Sequence, residues 1–492
     1  MRPTLATLFY ALALSVTPAA WAASPVMALS AKPADIILAG GAILVEADES
    51  TAKGEKTTFA QAVALRNGEI LAVGTRETVL RMKSDSTRWI DLKGRVAMPA
   101  FHDGFVNLAQ GGLKLLPVDA DRTTAQARRQ AILKAQDTLM AAGITSVSGP
   151  VSADDVLTLQ ELALEGKISL RFELWGELEK AAQFRELKEK NQRSLPLDFI
   201  RFGGVYGELD GSLVDRTAAL LDPYADERSS QGQPRYTQER LNALVISSNR
   251  QGLAVILKAS GDRAVNMAIT AFGNARKQLF NGRIRNRIVG ADLVSPHVRP
   301  RFGDLNIALI ADPDMLLTEE GGTNMGDLVV RRLGRERARN AYSWRSLADA
   351  NAHIGFGSSW PARAVNPLLS LYAAVVRPGL PSSNEGLRVS DALRAYTMGA
   401  AFATKEEHVK GSIREGKYAD IVVLSQNPFK VKAADLRKIM VDLTIAGGKV
   451  VYDREAEAAA SRLGGGLQPG IDSTAFAVPS AQKTASKAKK RR

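Results

Sequence analysis

The sequence predicts an α/β fold, a (β/α)8 TIM barrel with a β-sandwich domain formed from both ends of the chain. The 492 residues, 45% of them hydrophobic, supply enough apolar material for a large core. The middle of the chain, 100–408, alternates helical and strand segments, which is typical of parallel βα units, and about eight such units fit this length. The two ends, 33–99 and 409–455, are rich in short strands and turns.

The two strand-rich ends carry similar hairpin signals. Asn67-Gly68 lies between the apolar runs 62–65 and 70–73, and this dipeptide strongly favours a two-residue hairpin turn. Near the other end, 419–424 has the composition of a buried strand, and 443–452 predicts a hairpin around Gly447-Gly448. We therefore expect one β-domain assembled from both termini.

The middle of the chain repeats a helix followed by a strand. A glycine at the end of a helical segment, as at Gly143 and Gly252, is a helix stop signal. The helix–strand pairs that we predict are 123–142 with 144–148, 236–251 with 254–257, and 335–350 with 354–357.

The first residues predict export rather than structure. Arg2 precedes an apolar run over 5–16, and Ala20-Trp21-Ala22 is a small-residue cleavage signal. The run is short for a membrane span, so a signal peptide over 1–22, removed after Ala22 or Ala23, is favoured over an anchor. The mature protein is then periplasmic or secreted.

The last residues, 456–492, predict a disordered basic tail. Alanine, glycine, serine and proline dominate this segment, which contributes to the formal net charge of +13. Such a tail can touch an anionic envelope surface, although a merely solvated end remains the simpler interpretation. Export argues against a nucleic-acid partner. Oligomerisation stays open because no segment defines an interface.

The absence of cysteine excludes several kinds of chemistry. The chain can have no disulfide, no thiolate metal site and no cysteine nucleophile. Any metal site would have to use nitrogen or oxygen ligands, and the chain has only four histidines.

Five segments, in order along the chain, carry a family resemblance. They are 94–101 (GRVAMPAF), 209–213 (LDGSL), 261–264 (GDRA), 357–361 (GSSWP) and 411–420 (GSIREGKYAD). These segments resemble the amidohydrolase superfamily, in particular the amidohydrolase-3 type that includes N-substituted formamide deformylase. The resemblance implies a barrel of the metal-dependent hydrolase type with a divalent metal, usually zinc, at the carboxyl ends of the strands. Such a metal lowers the pKa of bound water to about 7 and polarises the scissile carbonyl.

The positions that the resemblance assigns to metal ligands carry other residues here. The two histidine positions of the first strand hold a phenylalanine and an asparagine, and the carboxylated lysine aligns with a tyrosine. The next two histidines align with a lysine and a glycine, and the strand-eight aspartate with a serine. These replaced positions are Phe105, Asn107, Tyr206, Lys258, Gly290 and Ser359. We therefore predict no metal cofactor, although the family would imply one.

The four histidines do not predict a rebuilt site. His102 has the opposite strand parity to positions 105 and 107, so it should point away from the barrel interior. His353 precedes Ser359 by six residues, about 20 Å along a strand, which places it toward the wrong end of the barrel. His297 falls in a loop or helix start, and His408 lies in the polar stretch before the β-sandwich returns.

Two hypotheses describe what replaces the metal. In the first, the Lys258 ammonium takes over part of the electrostatic role of the metal, with Asp210 and Asp312 as candidate partners. The alternative is that Lys258 extends into solvent. In the second, polar and aromatic residues keep a pocket for an organic acid or amide. Its candidates are Asn107, Tyr206, Asp210, Asp262, Arg263, Asp312, Arg337, Ser359 and Trp360, with an Asp262–Arg263 ion pair as the simpler interpretation.

Three functional classes follow. The preferred one is an exported, non-catalytic binding or regulatory protein with a small organic ligand at the barrel mouth. The second is a hydrolase that works through other residues, for instance Lys258 with Tyr206 or Asp210, including a Schiff-base variant. The third is the activity that the family implies, metal-dependent hydrolysis of non-peptide carbon–nitrogen bonds in amides, formamides or cyclic amides. Fold alone does not decide between them.

Overall fold

The middle of the chain forms a barrel of parallel strands, and the two ends meet in a second sheet beside it. A computed structural model describes residues 32–47, 57–193, 195–196, 198–279, 284–320, 323–381 and 384–462. The signal peptide predicted at 1–22 and the tail beyond 462 lie outside the described residues.

The strands are numbered in chain order through the described residues. They are β1 (Ile36–Ala47), β2 (Thr57–Arg66), β3 (Glu69–Gly74), β4 (Arg88–Asp91), β5 (Val96–Pro99), β6 (Phe101–Asp103), β7 (Ile144–Pro150), β8 (Arg171–Glu177), β9 (Ile200–Glu208), β10 (Ala254–Ala259), β11 (Arg287–Gly290), β12 (Ala308–Ala311), β13 (Glu319–Glu320), β14 (Thr323–Asn324), β15 (His353–Phe356), β16 (Ile421–Leu424), β17 (Val441–Ala446) and β18 (Lys449–Asp453).

The barrel contains β6 to β12 followed by β15, each paired in parallel with the next. Hydrogen bonds beyond the last strand residues close it. The Gly104 N–H donates to the Phe356 carbonyl at 2.8 Å, and the Asn107 N–H donates to the Trp360 carbonyl at 2.8 Å. All carboxyl ends therefore meet at one rim, which we call the mouth. The predicted barrel is confirmed.

The second sheet, which we call the composite sheet, joins both ends of the chain. Its strands follow the order β18-β17-β16-β5-β1-β2-β3, and β4 runs parallel to β1. The junction is the antiparallel pair β5–β16, in which Pro99 lies opposite Ile421. Apolar residues from this sheet and from the barrel share one buried cluster, for example Met98 with Ile144. The predicted assembly of one β-domain from both termini is confirmed.

Both predicted hairpins are confirmed. Asn67 and Gly68 have φ of 51° and 83° between β2 and β3, as a turn with two left-handed residues requires. Gly447 and Gly448 have φ of 52° and 73° between β17 and β18.

The helices pack outside the barrel or connect it to the composite sheet. Within the described residues the α-helices are α1 (Arg76–Leu80), α2 (Leu108–Lys114), α3 (Ala125–Ala141), α4 (Ala153–Leu164), α5 (Ala181–Asn191), α6 (Gln238–Arg250), α7 (Asp262–Leu279), α8 (Pro300–Asp304), α9 (Met325–Leu333), α10 (Trp344–Asp349), α11 (Pro367–Val376), α12 (Val389–Arg394), α13 (Ala400–Ala403) and α14 (Arg454–Arg462). Short 3-10 helices and a π-helical turn (Ala395–Gly399) complete the set. No helix among the described residues combines the length and apolar character that crossing a membrane requires.

Two helical predictions differ from the structure. The segment 335–350 is not one helix, because Ala341 is extended and bridges Leu293, and the Tyr342 N–H donates to the Asp292 carbonyl at 2.7 Å. These tertiary hydrogen bonds outweigh the local helical composition. At the other end, α14 continues to Arg462, so the boundary predicted at 456 for a disordered tail falls inside a helix.

Candidate functional site

Three aromatic rings, which we call the aromatic cluster, fill the barrel below its mouth. The ring centroid of Phe105 lies 5.8 Å from that of Trp175 and 5.4 Å from that of Tyr206, and Trp175 lies 6.0 Å from Tyr206. Apolar barrel side chains such as Ile256 and Ile310 pack around them. Phe105 and Tyr206 are two of the replaced metal-ligand positions. The structure therefore places ring carbons, which cannot coordinate a metal, where metal ligands would converge.

A buried ion pair lies beneath the aromatic cluster. The Arg287 guanidinium donates to both carboxylate oxygens of Glu173 at 2.5 Å, and the Trp175 indole N–H donates to the same carboxylate at 2.9 Å. Both charged side chains are about 95% buried or more. Burial raises the pKa of Glu173. The charge of Arg287 and the hydrogen bonds from Arg287 and Trp175 outweigh that effect and hold the pKa of Glu173 below its usual value.

Three other replaced positions serve the backbone rather than a metal. The Asn107 side-chain oxygen caps α2 by accepting from the Gln110 N–H at 3.2 Å. Gly290 has φ of 94°, in the left-handed region where a histidine would be strained. Ser359 also has a positive φ, 52°, and its N–H donates to the Phe105 carbonyl at 3.0 Å.

Lys258 has a different partner from those predicted. Its Nζ lies 3.8 Å from Glu208 Oε1. The Glu208 carboxylate also accepts from Arg235 Nη2 at 2.8 Å and from the Tyr206 hydroxyl at 3.2 Å. Lys258 keeps about 38% of its side chain exposed, so it faces solvent as well as this carboxylate. Lys258 is thus ion-paired, as the first hypothesis requires, and partly exposed to solvent, as the alternative requires.

Asp210 and Asp312, the predicted partners of Lys258, are bound elsewhere. Asp210 accepts three backbone hydrogen bonds of 2.8 Å, from Ala219, Ser260 and Gly261. Burial raises the pKa of Asp210 to about 6, although those bonds and the charge of Lys258 act against the rise. Asp312 forms a salt bridge with Arg363. The prediction that Asp312 pairs with Lys258 is therefore wrong.

The remaining pocket candidates hold loops in place. Asp262 accepts from the backbone N–H of Leu221 at 2.9 Å and of Arg263 at 3.0 Å, and no salt bridge in the described residues joins it to the Arg263 guanidinium. Arg337 donates to three backbone carbonyls, and Trp360 is 5% exposed against Gly111. The predicted Asp262–Arg263 ion pair is wrong, because backbone amides occupy the carboxylate.

The histidines lie apart from the aromatic cluster, but one orientation differs from expectation. His102 is buried, and its Nε2 lies 3.2 Å from Ser148 Oγ. Burial and then the charge of Lys410 lower the pKa of His102 well below its usual value, and Arg287 of the barrel interior adds to this. The prediction that His102 points away from the interior is wrong, because β6 ends at Asp103 and the strand alternation therefore does not extend to positions 105 and 107.

The other three histidines lie where the sequence indicates. His353 begins β15, at the amino end of the barrel. His297 lies in a short 3-10 helix, and His408 lies between α13 and β16.

The residues at the mouth do not fit the divalent metal that the fold implies. Within the described residues, no group of three or more histidine, aspartate or glutamate side chains is arranged to hold a metal ion. The ligand positions present aromatic rings, a glycine backbone and a capping amide, and the Lys258 ammonium would repel a cation.

Sequence reasoning missed Glu208, Trp175 and the Glu173–Arg287 pair. Glu208 was within reach, since it follows Tyr206 by two positions and alternate strand residues share a face. Trp175 and Glu173 lie on β8, which none of the five resembling segments covers.

An eight-stranded parallel barrel with a composite sheet is the architecture of metal-dependent hydrolases. The family model described as the amidohydrolase family matches residues 107–452, so the chain belongs to the amidohydrolase family. Two solved structures share the fold. They are uncharacterized metal-dependent hydrolases from Pyrococcus furiosus (22% identity, 80% of this chain and 100% of that one, TM-score 0.68) and Pyrococcus horikoshii (21%, 81% and 99%, 0.67).

Three curated relatives are similar over part of their length. Protein LONG AFTER FAR-RED 3 of Arabidopsis thaliana is 29% identical over 70% of this chain and 61% of its own. Putative amidohydrolase YtcJ of Bacillus subtilis is 30% identical over 60% and 54%. N-substituted formamide deformylase of Arthrobacter pascens is 25% identical over 44% and 40%. The matched regions thus span less than two thirds of each relative.

Proposed function

We propose that this amidohydrolase-family chain is an exported, non-catalytic binding or regulatory protein. The observation that carries the proposal is the aromatic cluster, because Phe105 and Tyr206 stack with Trp175 where the family chemistry needs converging nitrogen and oxygen ligands. A hydrolase that uses a metal-activated water needs several converging ligands to hold the ion, and the described residues contain no group of three or more histidine, aspartate or glutamate side chains arranged in that way.

The mouth keeps groups that suit a small organic acid or amide. Lys258 and Arg235 flank the Glu208 carboxylate, and the partly exposed rings of Phe105 and Tyr206 lie beside them. A flat organic acid can contact the rings and place its carboxylate on the Lys258 ammonium. Catalysis by Lys258 with Tyr206 or Asp210 is less well supported, since the Tyr206 hydroxyl donates to Glu208 and backbone amides hold Asp210.

Replacing Lys258 tests the mouth as a binding site. We expect Lys258→Ala to change the unfolding free energy by less than about 1 kcal/mol, since the side chains of the Lys258–Glu208 pair are 38% and 34% exposed. The same variant should bind benzoate at least about tenfold more weakly, because a charge-assisted contact is lost. Calorimetric titration measures the benzoate affinity of the unaltered chain and of Lys258→Ala. Lys438→Ala, which removes an exposed pair with Asp435, is the matched control. Equal benzoate affinity in all three proteins, or none in the unaltered chain, contradicts the assignment.

Metal content is the direct test of the proposal. The mature protein, purified without a histidine tag and offered zinc, is expected to retain well below one metal per chain in elemental mass spectrometry. A known zinc protein of this fold, handled in parallel, controls for loss during purification. About one or two metals per chain, removable by a chelator with loss of stability, would show that the ligand assignment is wrong.

The second candidate is a hydrolase of non-peptide carbon–nitrogen bonds. The observation that favours it is the similarity to relatives named N-substituted formamide deformylase and imidazolonepropionase. A panel of formamides, amides and cyclic amides, assayed with zinc present, distinguishes the two candidates. Turnover that depends on added metal supports the hydrolase.

Export and the basic tail remain part of the proposal. The mass of the mature amino terminus in the envelope fraction tests cleavage after Ala22 or Ala23. Sedimentation with anionic vesicles, compared between the full chain and one ending at residue 462, tests whether the tail touches an anionic surface.

A further inference from the structure

A cleft of about 670 Å³ opens at the amino-terminal end of the barrel, away from the mouth. Its walls are α8, α10, the start of β15 and α12. The volume is within the range of about 300–1,000 Å³ that small-molecule sites occupy. His353, the first residue of β15, contributes to the wall, which fixes the cleft at the end opposite Lys258.

Cations and carboxylates lie side by side along this cleft. Arg345 Nε donates to both oxygens of Asp349 at 3.0 and 3.1 Å, and its Nη1 lies 3.8 Å from Asp391 Oδ2. Arg394, one helical turn beyond Asp391 on α12, has its Nη1 3.9 Å from Glu46 Oε1. Arg345 therefore lies between the carboxylates of Asp349 and Asp391, and Arg394 follows Asp391 by one helical turn. Asp304 adds one more carboxylate to the lining.

The central charged groups are held in place before any ligand arrives. The side chains of Arg345, Asp391 and Arg394 are 24%, 12% and 23% exposed, so each is mostly packed while part of it remains accessible to solvent. Because the ion pairs already restrict these long side chains, a ligand would lose little affinity in ordering them. Apolar side chains, among them Ala348, Ala352 and Leu387, also line the cleft.

This arrangement of charges selects against ligands with a single charge. A simple anion on the guanidinium of Arg345 would lie close to Asp349 and Asp391, and a simple cation on Asp391 would lie close to the two arginines. A small molecule with both charges can satisfy both signs. We propose that the cleft binds a small zwitterion of amino-acid or dipeptide size, with its carboxylate toward Arg345 and Arg394 and its ammonium toward Asp391. This site does not depend on the function proposed for the mouth.

Calorimetric titration of the full mature chain with glycylglycine tests the proposal. We expect saturable binding of glycylglycine, and binding of acetate and of methylammonium at least about tenfold weaker at equal ionic strength. Arg394→Gln and Asp391→Asn should each weaken glycylglycine binding about tenfold or more. Arg185→Gln, which removes an exposed pair with Glu189, should leave it unchanged. Urea unfolding of each variant verifies that it is folded, and using two variants keeps the test valid if one is not.

Three results would overturn the assignment. The first is the absence of saturable glycylglycine binding by the folded, unaltered chain. The second is equal affinity for acetate and glycylglycine. The third is loss of glycylglycine binding in Lys258→Ala but not in Arg394→Gln or Asp391→Asn, which would place the ligand at the mouth.

Discussion

Glu173→Gln is expected to destabilise the protein by about 3–5 kcal/mol, because it leaves the Arg287 guanidinium buried in the barrel without its counter-charge. The substitution keeps the size and shape of the side chain, so the loss reports charge rather than packing. Urea unfolding followed by circular dichroism measures the change. Glu189→Gln, in an exposed pair with Arg185, is the matched control and should cost less than about 1 kcal/mol. Similar small losses in both variants would contradict the buried-pair assignment.

The same pair predicts a pH dependence. Because the pKa of Glu173 is lower in the folded protein than its usual value, the folded state favours the ionised carboxylate. The stabilisation is therefore fully present above the usual glutamate pKa and is lost as the pH falls toward the lower folded value. Unfolding free energies measured between neutral pH and pH 3 should fall more steeply for the unaltered chain than for Glu173→Gln.

Trp175→Ala is expected to cost about 3–5 kcal/mol, since it removes a fully buried indole that packs against two other rings and leaves a cavity below the mouth. Urea unfolding measures this loss as well. Phe59→Ala, at a ring that is 42% exposed, is the control and should cost no more than about 1 kcal/mol. A loss below about 1 kcal/mol for Trp175→Ala would mean that the aromatic cluster is not a packed part of the barrel.

The losses of stability in Glu173→Gln and Trp175→Ala should not be additive. The Trp175 indole donates to the Glu173 carboxylate, so a double-mutant cycle should show a coupling of about 0.5–3 kcal/mol. Additive losses would indicate that the negative charge of Glu173 does not strengthen this hydrogen bond.

Local signals predicted much of the fold, and tertiary pairing accounts for the main error. Asn67-Gly68 and Gly447-Gly448 predicted their hairpins because both turns need left-handed residues, a purely local requirement. The segment 335–350 failed because the backbone at Ala341 and Tyr342 pairs with the loop after β11, about 50 residues earlier in the chain. No local pattern carries that information.

The sequence predicted where the residues of the candidate site lie better than it predicted which side chains they contact. The resemblance located Tyr206 and Lys258 on their strands and Phe105 at the first barrel strand, and the structure places all three near the mouth, with Phe105 just beyond the end of β6. It did not reveal that Glu208 pairs with Lys258, or that Glu173 and Arg287, 114 residues apart in sequence, meet inside the barrel. Those contacts depend on the register between strands, which a single sequence does not specify.

The pairing of β5 with β16 also determines how late in synthesis the composite sheet can form. Pro99 meets Ile421, so more than 300 residues must leave the ribosome before the composite sheet can close. At about 5–20 residues per second this takes roughly 15–65 s. During that interval the edge of β5 that pairs with β16 has no strand partner from the chain itself. The backbone hydrogen-bonding groups on this edge of β5 therefore stay unpaired, and open to pairing with other chains, until synthesis is nearly complete. A chaperone that binds residues 96–99 should be released when residues 421–424 emerge.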